Sequence, residues 1–129
     1  MIVSAHVATG AAGGALVGSS LAAVVLGVGL HGLGDAILHR DIPSRRFEVW
    51  SGVAGLAALA WKRGLLDPAT LGAAACAAPD LEHVLPFPRP GGRKLFPTHR
   101  VEGWHRSGGI PAWAQLVGAG AVLAIVLRS

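Results

Sequence analysis

The segment His31-Gly-Leu-Gly-Asp35-Ala-Ile-Leu-His39 sets two imidazoles and a carboxylate at intervals of four. On an α-helix each step of four advances about 40°, so all three share one face over about 12 Å. Apolar surroundings make such groups costly unless something holds them, and a divalent metal ion is the simplest partner. Two later elements carry the same donor types. In Ala78-Pro79-Asp80-Leu81-Glu82-His83, one helical turn aims Asp80 and His83 at the same place and Glu82 elsewhere. The stretch from Phe96 to Arg106 holds His99, His105 and Glu102, with Arg100 and Arg106 beside them. Each later element also has a plain structural explanation: a helix cap at Asp80, and a solvated basic loop with Trp104 at a membrane interface.

The background is apolar. Of 129 residues, 52% are hydrophobic and only 14% charged, with a mean hydropathy of +0.53. Ala supplies much of that count and Gly is abundant beside it, so a soluble Ala/Gly-rich bundle is the alternative to a membrane protein. The net charge of +4 does not indicate nucleic acid, because the basic residues fall in loops between apolar segments, as they do beside membrane helices. A lone cysteine, Cys76, excludes an intrachain disulfide and sits in Ala-rich sequence as a small buried residue. No Lys or Arg precedes the first apolar stretch, which argues against a cleavable signal peptide.

Five apolar segments must position the donors, within a single domain over residues 1–129. The first runs from Ile2 to Val17, with Gly10, Gly14 and Gly18 spaced for close approach of another helix. The second, Ser20 to His39, is long enough to cross a bilayer. A third covers Phe47 to Trp61. Asp67 and Pro68 open a fourth, short helix that reaches Pro79. A Pro- and Gly-rich irregular loop follows from Pro86 to Gly109, and the last segment, Ile110 to Leu127, is free of charge. The expectation is an all-α integral membrane bundle of four or five helices with one long irregular loop.

If the segments alternate direction, His6, His31, His39, Asp80, His83, His99 and His105 converge on one end of the bundle. Arg40, Arg45, Arg46, Arg89, Arg93, Lys94, Arg100 and Arg106 share that end, against Lys62, Arg63 and Arg128 opposite. The positive-inside rule makes the histidine-rich end cytoplasmic.

The order of these elements resembles the predicted membrane-bound metal-dependent hydrolases. The carriers are an N-terminal His6, an apolar helix ending in His31-x3-Asp35-x3-His39, the Pro79-Asp80-x-x-His83 element and a late paired-histidine loop. That group comprises small bacterial integral membrane proteins, more distantly similar to zinc-dependent phospholipase C. The resemblance covers most of the chain. It departs at the end, where members often carry a tighter His-Arg-x-x-Thr-His-Ser and this chain has Thr98-His99-Arg100 and Trp104-His105-Arg106-Ser107. It implies an inner-membrane protein with the bilayer around it, a lipid or phosphoester as substrate, and self-association open.

Imidazole and carboxylate donors suit zinc, with manganese or iron as alternatives, and their number allows one or two ions. On this expectation His31, Asp35, His39 and Asp80 are core ligands, completed by His6, His83, His99 or His105. Glu82 or Glu102 would take a proton from metal-bound water, and Arg100 and Arg106 would face a phosphoryl oxyanion. The rivals are a haem protein with axial histidines, a metal carrier or sensor, and a structural membrane protein whose His and Asp residues pair with each other.

Overall fold

A computed structural model describes residues 1–104 and 107–129. Its helices are α1 (Val3–Val17), α2 (Ser20–Ala36), α3 (Arg45–Arg63), α4 (Pro68–Ala77), a short α5 (Leu81–Val84) and α6 (Ala112–Val126). A 3-10 turn over Ala78–Asp80 joins α4 to α5. Among the described residues there is no strand beyond isolated bridges, from His39 to Ser107 and Ile110.

α1 is the hub and packs on α2, α3, α4 and α6. Glycine lets α1 and α4 meet backbone to backbone: a Cβ on Gly10 would lie 2.3 Å from the Gly72 carbonyl oxygen, and one on Gly14 2.0 Å from that of Pro68. Gly27 brings α2 equally close, since its Cβ would sit 2.5 Å from the same Gly72 oxygen. The expected role of Gly10 and Gly14 is thus met within the chain. Gly18 does something else: it ends α1 in the left-handed conformation, φ 62°, where glycine is favoured. Val7, Ala11, Leu59, Ala69, Ala73 and Val126 form the core beneath these contacts. Asp67 opens α4 as expected, accepting from the Ala69 amide at 2.8 Å with Pro68 in the first turn.

The expected transmembrane bundle does not form: among the described residues, no helix is long and apolar enough to cross a membrane. A span needs about 20 apolar residues, whereas α2 has 17 and α6 has 15. α3 reaches 19 but carries Arg45, Arg46, Glu48, Lys62 and Arg63. The apolar run of the second segment continues past the end of its helix, because Ile37 is extended (φ −74°, ψ 129°). Arg40 then donates to the Ile110 carbonyl and Ile110 to that of Leu38, both at 3.0 Å. The assignment of the histidine-rich end to one side of a bilayer rested on those spans. Part of the apolar composition faces outward, with Leu16, Trp61 and Trp113 exposed.

Gln115 of α6 ties three segments at the site end. Its Oε1 accepts from Ile2 N at 3.1 Å, and its Nε2 donates to the Arg40 carbonyl at 2.9 Å. The irregular loop is held onto α2, where Trp104 Nε1 donates to the Gly32 carbonyl at 2.9 Å.

Candidate metal centre

Close glycine packing has a chemical consequence at the end of α4. With α2 drawn against α4, His31 Nδ1 donates to the Cys76 carbonyl at 2.7 Å. A carbonyl only accepts, so the proton is on Nδ1 and Nε2 carries the lone pair. His99 is fixed in the same sense from the loop: its Nδ1 donates to Glu82, whose carboxylate also accepts from the Leu95 and Phe96 amides. Its Nε2 thereby faces inward as well.

The two ring nitrogens meet at 3.2 Å. Asp35 Oδ2 lies 3.1 Å from His31 Nε2 and 3.2 Å from His99 Nε2. With both rings neutral, three electron-pair donors face one another in a triangle, with His31 and Asp35 buried. Without a cation or an extra proton this arrangement is repulsive. A tetrahedral zinc with bonds of about 2.0–2.1 Å has ligand–ligand edges of about 3.3 Å, close to the triangle found here.

The surrounding donors extend the cluster. His6, from α1, stacks on His31 with ring centroids 4.2 Å apart. Its Nε2 lies 3.2 Å from Asp35 Oδ1 and 3.9 Å from Asp80 Oδ2. Burial pushes the His6 pKa down to about 4, so it is neutral at physiological pH. Its Nδ1 is 3.8 Å from Cys76 Sγ, and burial pushes that thiol up to about 12. Asp80 Oδ2 is buried and has no hydrogen-bond partner among the described residues. Burial raises the Asp80 pKa to about 6. An ionisable oxygen left bare in this way is where a missing cation is expected. His83 stands beside Asp80 and His99, and its pKa is lowered to about 4 by burial and then by the His99 charge.

The donors fall into three overlapping groups: His6, His31 and Asp80; His31, Asp35 and His99; and Asp80, His83 and His99. In each, the ligand atoms lie within 4.8 Å of one another. These buried His/Asp groups can hold a metal ion.

Several expectations change. His39 is not in the cluster: the helix that would have carried the stripe ends at Ala36, and His39 is in none of the three groups. Its Nδ1 donates to the Ile37 carbonyl at 2.6 Å, and its Nε2 lies 3.2 Å from Asp41. Glu82 is committed to His99 and two amides, which makes it an orienting group rather than a proton acceptor. Arg100 spends its guanidinium on the Lys94 and Leu95 carbonyls, inside its own loop. Glu102 is exposed and lines a cavity of about 310 Å³ with His83 and His99. His105 and Arg106 lie outside the described residues.

Two groups were missed. Arg45 and Glu48, in the first turn of α3, line a cavity of about 200 Å³ with Asp80, His83 and His99. Burial, and then the Asp41 charge, push the Glu48 pKa up. Arg45 was placed only among the basic residues of the donor end, and the signal for Glu48 was an acid in a first helical turn, which is also ordinary helix chemistry. No protein-family model, curated protein or solved structure matches the chain.

Proposed function

We propose that this chain is a metal-dependent hydrolase holding one divalent ion, zinc before manganese or iron, on His31, Asp35 and His99. The carrying observation is the triangle of His31 Nε2, His99 Nε2 and Asp35 Oδ2, with edges of 3.1–3.2 Å. Asp80 joins one donor group with His31 and another with His99, which makes it the neighbouring ligand or the anchor of a bound water. Three firm ligands leave a coordination position open, as catalytic zinc requires. A metal bound there supplies water acidic enough to ionise near neutral pH.

The chain's own groups do the rest. Glu82 fixes the His99 tautomer, a carboxylate–histidine arrangement that strengthens the ligand. Glu48 lines the adjoining cavity as a half-buried carboxylate with a raised pKa, fitted to take a proton. Arg45 faces the same cavity as a cation for an anionic substrate group. The resemblance of His31-x3-Asp35 and Pro79-Asp80-x-x-His83 to motifs of metal-dependent hydrolases is in keeping with this chemistry.

A second reading has one specific observation behind it. His99 lies between Asp35 and Glu82; burial opposes protonation, but the bonds to both carboxylates raise its pKa. Charged His99 would make the cluster a metal-free structural ion-pair network.

The test is release of p-nitrophenolate from bis(p-nitrophenyl) phosphate and from p-nitrophenyl acetate, with and without added zinc. Zinc-dependent release that falls about 100-fold or more in Glu48→Gln, at unchanged metal content, supports the hydrolase. Bound zinc without turnover of either ester leaves a metal-binding protein.

A further inference from the structure

We infer that the cleft between α3 and the α4–α5 corner receives the hydrocarbon chain of a single-chain anionic amphiphile, whose head reaches the metal centre. This rests on the metal-centre reading above and adds the class of ligand.

The cleft has a volume of about 310 Å³, and among the described residues Asp80 is the only ionisable side chain on its wall. The rest is aliphatic, with Val53 and Leu56 of α3 facing Ala74 and Ala77 of α4. It exists because α3 packs on α1 yet touches α4 only sparsely. Gly52, whose Cβ would lie 2.5 Å from Val3 Cγ1, holds α3 against α1 at the site end. The small side chains of α4 leave the space between them open.

The cleft adjoins the cavity of the metal centre. Val3, Val49, Asp80 and Val84 line both. Beyond the aliphatic wall the lining changes to Arg45, His83 and His99 with the carboxylates Asp41, Glu48 and Asp80, so an anionic head there pairs with Arg45 and the metal rather than with the acids. Asp80 Oδ2, buried without a hydrogen-bond partner, marks the junction. A ligand filling both spaces therefore needs an apolar chain joined to a head that tolerates a cation and metal ligands. An anionic head, phosphate or carboxylate, meets that requirement. A purely apolar ligand leaves the Arg45 end of the cavity unfilled, and a small polar one leaves the cleft empty.

The experiment measures binding of n-alkyl phosphates and n-alkyl carboxylates of graded length, all below micelle formation, to the full chain with zinc added. Zinc content is measured on the same samples. Each methylene buried in the cleft should tighten binding about four-fold until the cleft is full. Val53→Trp, at a half-open wall position that tolerates a larger ring, should abolish the length dependence. Val117→Trp, on the exposed face of α6, should leave it intact. The phosphate and carboxylate series identify the preferred head.

Affinity independent of chain length, or equal length dependence in Val53→Trp, overturns the inference, as does a dimer in solution that covers the cleft. Zinc content decides the metal reading separately. Length dependence without bound zinc keeps the chain site and removes the hydrolase. Bound zinc without length dependence does the reverse.

Discussion

Glu82 accepts the Nδ1 proton of His99, seventeen residues further on, and so turns His99 Nε2 toward His31 Nε2 at 3.2 Å. Glu82 belongs to the short α5 and His99 to the irregular loop, so one contact aligns a ligand from a segment with little regular structure.

That relationship predicts a specific loss. Glu82→Gln keeps an acceptor oxygen for the loop amides but removes the charge behind His99. Zinc affinity should fall about 10–100-fold, the usual effect of losing such a supporting carboxylate. Competition with a chromogenic chelator measures it, and an unchanged affinity would show that Glu82 only pins the loop.

Asp80→Asn should act in opposite directions on the two forms of the protein. The buried, unpartnered Oδ2 costs the metal-free fold about 1–3 kcal/mol, as unsatisfied buried groups do. Replacing it with the neutral amide should raise the melting temperature of metal-free protein and weaken zinc binding. Thermal unfolding with and without zinc reads both signs. Destabilisation of both forms would assign Asp80 a structural role.

The glycine contacts predict a steric effect. A Cβ on Gly72 would lie 2.4 Å from the Gly10 carbonyl oxygen and 3.2 Å from Gly14 Cα. Backbone cannot yield cheaply, so Gly72→Ala should cost about 1–3 kcal/mol. It should also weaken zinc binding, because α4 carries the Cys76 carbonyl that orients His31. Gly29→Ala is the control. It lies within α2 with nothing near its Cβ position, and should gain up to about 1 kcal/mol from helix propensity. Denaturant unfolding of the two variants gives the comparison.

How far these features were legible differs by residue. His31 and Asp35 follow from helical spacing, since a four-residue step needs nothing beyond the helix itself. His39 does not, because its position depends on where α2 stops, and that is set by the pairing of Leu38–Arg40 with the chain before α6. Gly10 and Gly14 announced close packing, but their partner on α4 is a tertiary fact. Apolar composition suggested membrane spans. Ala raises hydropathy without fixing helix length, and among the described residues the apolar helices end before a bilayer's thickness. Arg45 and Glu48 were hidden because their role arises only when α3 packs across the end of α4.

Acid should weaken the entry to α4. Arg63 Nε donates to Asp67 Oδ1 at 3.0 Å. Burial works to raise the Asp67 pKa, but bonds from Arg63 and the Ala69 amide outweigh it and hold the carboxyl below its ordinary value. A depressed folded pKa means that this stabilisation is complete above the unfolded value of about 3.9 and is lost as pH falls through the folded one. Asp67→Asn keeps a capping oxygen without the charge. The wild-type advantage, at most about 1 kcal/mol for a partly exposed pair, should be present at about pH 6 and vanish by about pH 2. A difference that grows on acidification would contradict the sign.

Elemental analysis decides whether His31, Asp35 and His99 hold a metal ion. The protein is purified without chelators, loaded with zinc, dialysed and measured by elemental analysis, beside His31→Ala and His99→Ala, with helicity checked by circular dichroism. The account predicts about one equivalent of zinc in the wild type and almost none in either variant at unchanged helicity. Wild-type protein that retains no zinc, manganese or iron, or variants that keep the metal, would contradict it and leave His99 as the charged centre of a structural ion-pair network.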